Sequence, residues 1–157
     1  MAAPWYITRI VLILLAQSIS FLTRQEEDLL KFQQWIDRAR QAPRSSYDKI
    51  ISYRRAIESD PFNPQPRFEL GEVYYEIAIV YGHRDLFDEA AGLFRDALEL
   101  DPSLFQAHYR LGTIYFLRKN FEHCRRELEA ARKINPGFES AIDSLAILSR
   151  DIPTGEP

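Results

Sequence analysis

Three hexapeptides of one kind punctuate the chain: AIESDP ending at Pro61, ALELDP ending at Pro102, and ARKINP ending at Pro136. The last two prolines stand 34 residues apart. Aligned on them, FRDALELDP matches LEAARKINP, and upstream RFELGEVYYE from Arg67 matches HYRLGTIYFL from His108. A fixed period of this length constrains the fold more than any other feature of the chain. It describes one helix–turn–helix unit used repeatedly, each copy burying its apolar face against the next.

Leu-Gly, Tyr, Ala, Phe and Pro at set offsets in such a period resemble the tetratricopeptide repeat, over roughly residues 44–150. The resemblance implies an all-α protein, a short right-handed array of helical hairpins. In the best repeat, 105–138, Gly112 after Leu111 takes the small slot of the first helix and Tyr115 the interhelical groove. Cys124 takes the small slot of the second helix, where Ala is usual, Ala131 the next close-packing position, and Pro136 ends the unit. His108 stands where the family often has Trp. The preceding repeat, 64–104, uses Leu70, Gly71, Tyr74, Ala90, Phe94, Ala97 and Pro102. It runs seven residues longer between its glycine and its proline, which is two helical turns, so the phase is kept. YYEIAIVY extends its first helix to Tyr81, and Gly82 breaks it.

Residues 44–63 read as a degenerate repeat with Tyr53, Ala56 and Pro61 in place but no Leu-Gly signature. Residues 139–150 read as a capping helix, with Ala141, Ile142, Leu145 and Leu148 facing inward and Glu139, Asp143 and Arg150 facing water. Residues 151–157 read as a flexible tail.

The N-terminal 1–24 is a different kind of sequence. Ile10–Leu22 is strongly apolar but includes Gln17, Ser18 and Ser20. A comfortable membrane span needs about 20 mostly apolar residues. Counting from Pro4 to Thr23 reaches that length only by including Arg9, with Trp5 and Tyr6 at the headgroup belt. The reading adopted is a single-pass transmembrane anchor through Trp5, Tyr6, Ile10, Val11, Leu12, Ile13, Leu14, Leu15, Phe21 and Leu22. A cleaved secretory signal, giving a secreted repeat protein, is the alternative, although its cleavage site is poor. The soluble part is expected on the outer, periplasm-like side. No Pro or Gly interrupts Trp5–Ala42, and Leu22, Leu29, Phe32, Ile36 and Ala39 form a helical stripe. The segment 25–43 is therefore a helical extension that Pro43 ends.

Chemistry finds little support. Cys124 is the only cysteine, so no intrachain disulfide forms. It lies beside His123 and near Arg125 and Arg126, but neighbours on a helix point about 100° apart. No second Cys/His pair completes a metal site. There is no phosphate loop and no nucleophile elbow. No catalytic residue, metal or cofactor is expected. A net charge of −3 argues against nucleic-acid binding, and residues 61–104 carry three Arg against nine Asp plus Glu. Arg118, Arg125 and Arg132, with Lys119, Arg126 and Lys133, recur every seven residues among Glu122, Glu127 and Glu129. These read as solvated ion pairs.

A non-enzymatic interaction or scaffold module follows, an accessory or assembly subunit of a larger membrane-associated complex. Its partners are proteins, with the membrane reached through the first helix. A self-assembling structural subunit, a homo-oligomer or filament made by repeat stacking, is the alternative. By the resemblance, the concave inner face carries Gln65, Phe68, Glu69, Glu72, Tyr75 and Glu76, then Gln106, Tyr109, Arg110, Thr113, Phe116 and Leu117, and the glutamates give it an acidic edge. Some members of the family grip a partner's C-terminal carboxylate through Lys and Asn on the first helices. Phe68, Glu72, Tyr109 and Thr113 occupy those positions here, which argues against that specificity.

Overall fold

The structure is a computed structural model that describes the backbone of residues 5–43 and 47–151, and the side chains of residues 12–43 and 47–150. Among these residues it is entirely helical: α1 (Trp5–Gln41), α2 (Tyr47–Ser59), α3 (Pro64–Tyr81), α4 (Leu86–Leu100), α5 (Phe105–Leu117), α6 (Phe121–Ile134) and α7 (Glu139–Asp151). The expectation for the tail lies, from residue 152 on, outside the described residues.

The repeated Asp-Pro or Asn-Pro has a local mechanism. Asp60, Asp101 and Asn135 each accept, through the side-chain oxygen, the backbone N–H two residues on: Phe62 at 3.3 Å, Ser103 at 2.9 Å and Gly137 at 3.2 Å. The proline between cannot donate and resists continuing the helix, so each second helix ends in one fixed turn. Ser103 also donates its hydroxyl to Asp101 at 2.6 Å, and these bonds hold the Asp101 carboxyl below its usual range. Asn63 caps α3 by accepting from Gln65 N–H at 3.0 Å, with proline in the first turn. Gly82 ends α3 at φ 72°, a left-handed conformation that glycine adopts without cost. The long α3 thus stops where the sequence indicates.

The helices pair as α1–α2, α3–α4 and α5–α6, and every substantial contact joins helices adjacent in sequence. One core cluster runs through the first five helices, from Ile36 and Tyr53 to Phe94, Leu111 and Ile114. A smaller one joins Cys124, Leu128 and Leu148. The Leu-Gly positions explain the close pairing. A Cβ on Gly71 would lie 2.7 Å from Phe94 Cε1, and one on Gly112 would lie 3.0 Å from Leu128 Cδ2. Real side-chain carbons almost never approach the first distance, so α3 and α4 require the glycine.

Three expectations are corrected. First, the transmembrane helix is not supported: among the described residues no helix is long and apolar enough to cross a membrane. Gln17, Ser18 and Ser20 interrupt the apolar run, and the charged segment from Arg24 closes it. The side chains of Trp5, Tyr6, Ile10 and Val11 lie outside the described residues. Leu12, Ile13, Leu14, Leu15, Phe21 and Leu22 are all exposed, and only Phe32, Trp35, Ile36 and Ala39 of α1 pack against the rest. Second, Ile142 does not face inward. It is 41% exposed, while Ala141 and Leu148 are buried, because α7 rests mainly on α6 and turns Ile142 outward. Third, Glu127 is not solvated, although it keeps Arg126 of the arginine rows at 3.6 Å. Its side chain is 14% exposed and sits 2.8 Å from His108 Nδ1, so the usual Trp slot is filled by a polar link between α5 and α6.

Candidate partner-binding surface

The residues assigned to the inner face come from α3 and α5, and the structure divides them into three groups. Phe68 and Tyr75 are turned partly into the core: Phe68 packs on Phe94 with ring centres 5.6 Å apart, and Tyr75 meets Phe87 edge-on at 5.7 Å. Glu69 lies 2.9 Å from the donating Gln65 amide and 3.5 Å from the Tyr53 hydroxyl. Burial, with Glu69 adding to it, pushes Tyr53 up to about 12. Glu76 is half-buried on the same helix.

The second group is a cross-helix crossbar. Arg110 on α5 donates through Nε and Nη2 to the two oxygens of Glu72 on α3, both at 2.6 Å. This is the planar fork that guanidinium and carboxylate make best. Its carbon Cζ lies 5.0 Å from the Tyr75 ring centre and 6.0 Å from that of Tyr109. Burial disfavours the Arg110 charge, but the bonds to Glu72 outweigh it and hold the guanidinium above its ordinary range. Burial also raises Tyr75. One acid of the expected acidic edge is thereby neutralised within the chain.

The third group opens toward α7. Tyr109, Thr113 and Phe116 line a cavity of about 150 Å³ together with Gly112, Cys124, Leu128, Ser144, Ile147 and Leu148. Tyr109 also stands edge-on to Phe138 at 5.0 Å. Leu117, although exposed, belongs elsewhere. It lines a separate cleft of about 730 Å³ between the hairpin tips, where α3 overhangs its neighbour and Arg118 bonds Asp88 at 2.6 Å.

Cys124 is buried, and desolvation pushes its thiol up to about 11, against a smaller opposite effect of Arg125. A group this reluctant to ionise is a packing residue, as its slot implied. Among the described residues no cluster of His, Cys, Asp and Glu is placed to hold a metal ion. Reasoning from sequence missed the Arg110–Glu72 fork and the contribution of α7. The 34-residue offset from α5 to α7 held the missing signal, because it sets Ser144 at the Arg110 register.

Residues 85–146 match the family model of the tetratricopeptide repeat. Among curated proteins, the chain is 30% identical over 105 residues to tetratricopeptide repeat protein 17 of Danio rerio, covering 67% of this chain and 8% of that protein. Among solved structures, it is similar to the Thermobaculum terrenum O-GlcNAc transferase mutant K341M. The TM-score is 0.62 at 25% identity, over 76% of this chain and 22% of that one. It is also similar to the first TPR of Spaghetti (RPAP3) bound to an HSP90 peptide, with TM-score 0.65 at 18% identity, over 83% of this chain and 96% of that one. This chain thus spans a small part of the curated relative and of the transferase, and nearly all of the peptide-binding domain.

Proposed function

We propose that this chain, which has the fold of tetratricopeptide repeat proteins, is a non-catalytic interaction module that holds a segment of a partner protein on its inner face. The observation that carries this reading is the apolar cavity beside Tyr109, Thr113 and the 42%-exposed Phe116, open on the side a partner would approach. An aromatic lip around a cavity suits a binding hot spot. The Spaghetti (RPAP3) domain, of similar fold, is bound to a peptide, which supports a peptide segment as the ligand class here.

We further infer that the apolar start of α1 ties the module to a membrane, as an accessory or assembly subunit of a larger complex on its outer side. Leu12, Ile13, Leu14, Leu15, Ile19, Phe21 and Leu22 are 49–62% exposed on a helix arm that no other described element covers. Such a surface needs a non-aqueous neighbour. A second reading, self-assembly by stacking, is favoured by Ile134, Ile142 and Ile147, which stay exposed at the C-terminal end of the array.

The deciding experiment is affinity isolation of the full chain from native membranes, with Phe116→Ser beside the wild type. Loss of copurifying proteins with helicity and melting unchanged supports the inner face. Retention of every partner removes it. Recovery of this chain alone, as an oligomer, favours stacking.

A further inference from the structure

The inner face is built twice, and the two copies differ. Between α3 and α5 the groove is filled, because Arg110 reaches back from α5, forks onto Glu72 and lies over Tyr75. The next groove, between α5 and α7, follows the same register. α5 repeats α3 after 41 residues: Gly71 and Gly112 correspond, as do buried Val73 and Ile114. α7 repeats α5 after 34 residues: Ala107 and Ala141 correspond, as do Ile114 and Leu148, all four buried.

Carried through these registers, Glu72 becomes Thr113, Tyr75 becomes Phe116, and Arg110 becomes Ser144. All three replacements line the 150 Å³ cavity. The space that a guanidinium and its stem occupy in the first groove is therefore left open in the second.

The lining selects what can enter. Thr113 donates its hydroxyl to the Tyr109 carbonyl at 3.0 Å, and Ser144 donates to the Ser140 carbonyl at 2.7 Å. Both protons are committed to their own helices, so these oxygens can only accept. The remaining lining is Gly112, Cys124, Leu128, Ile147 and Leu148 with two aromatic rings. A carboxylate would find no cation in the lining and no proton from Thr113 or Ser144. A long apolar stem ending in a flat cation would find a greasy channel, two acceptors and a ring face. The surrounding inner face adds Glu69, Glu72 and Glu76 against the single Arg110.

We propose that the cavity between α5 and α7 receives one arginine side chain from a partner segment, its guanidinium over Phe116 as Arg110 lies over Tyr75. The proposal rests on the interaction-module reading and makes it specific.

The test uses the full chain and short Gly-Ser peptides carrying one central Arg, Leu or Glu. Binding is followed by the methyl NMR signals of Thr113, Ile147 and Leu148. The Arg peptide should move these signals and bind about fivefold tighter or more than the Leu peptide, with Glu weakest. Thr113→Glu with Ser144→Arg rebuilds the first groove's fork in the second and should abolish the Arg-peptide shifts while the melting temperature holds or rises. Equal or tighter binding of the Leu peptide, or shifts elsewhere in the array, overturns the proposal. If the doubly substituted chain keeps its copurifying partner, the cavity is not the site although the module still binds. If neither peptides nor partners bind, both readings fall.

Discussion

Gly71 and Gly112 hold the same slot in successive hairpins, yet their surroundings predict different responses to one added methyl. At Gly71 the new carbon meets the edge of Phe94, a ring at 0% exposure with nowhere to turn. Gly71→Ala should cost about 1–3 kcal/mol through overpacking. At Gly112 it meets the branched end of Leu128 at 3.0 Å, which can shift by tenths of an ångström. The gain of up to about 1 kcal/mol from replacing a mid-helix glycine then offsets the crowding, so Gly112→Ala should be near neutral. Thermal melts of the two variants measure both values, and equal losses would show that the hairpins are packed alike. Cys124 gives a second prediction. Its thiol stays neutral in the fold up to about 11, against an ordinary 9.0 once unfolded. Folded stability is then fully present below about pH 9 and declines as pH rises toward 11, because only the unfolded chain gains a thiolate there. Tyr53 acts in the same direction between 10.0 and about 12. Cys124→Ala should flatten the decline over pH 9–11, measured by denaturant titration at each pH. The slots of both residues were legible in the sequence because small side chains at fixed offsets report close approach. The tightness of each was not, because it depends on which way Phe94 and Leu128 turn.

Among the elements, the hairpin ends were the most readable, since Asp-Pro, Asn-Pro and the left-handed Gly82 act through local bonds. The long α3 followed from a seven-residue insertion that keeps helical phase. The placement of α7 was harder. Its alternation allowed several faces, and only its seat on α6 decides that Ile142 turns outward. The inner-face residues were legible as positions on α3 and α5, whereas their pairing was not, because Arg110 and Glu72 are 38 residues apart in sequence. That fork ties α3 to α5 directly, with the two side chains 32% and 21% exposed. Arg110→Met would leave Glu72 half-buried without its cation and should cost about 1–3 kcal/mol. Adding Glu72→Gln should recover much of the loss. A double-mutant cycle from urea unfolding checks this, and additive losses would mean the fork contributes no coupling.

At the scale of the whole molecule, the array and the α1 arm obey different rules. The array buries its apolar side chains helix against helix. The arm, from Leu12 to Leu30, leaves Leu, Ile and Phe in the open. If a membrane covers that arm, the chain should stay in the membrane pellet through high-salt and alkaline washes. Deleting residues 1–24 should release it with the melting temperature of the array unchanged, since packing onto α2 begins only near Phe32. Full release of the intact chain by salt alone would count against an apolar tether.

Because each helix rests chiefly on its sequence neighbours, the molecule also has a mechanical character. Among the described residues every substantial contact joins helices next to each other in sequence. A steady pull between the N-terminal arm and the C-terminal helix is borne by a series of clasps, each of which can give way without loosening all the others. The clasps are unequal. α7 is held by a small apolar contact, whereas the junction of the second and third hairpins is reinforced by two charged bridges, Arg110 to Glu72 and Arg118 to Asp88. Under load the chain would shed its C-terminal helix first and keep that junction longest. A partner seated between α5 and α7 would therefore be gripping the array at the place where tension opens it.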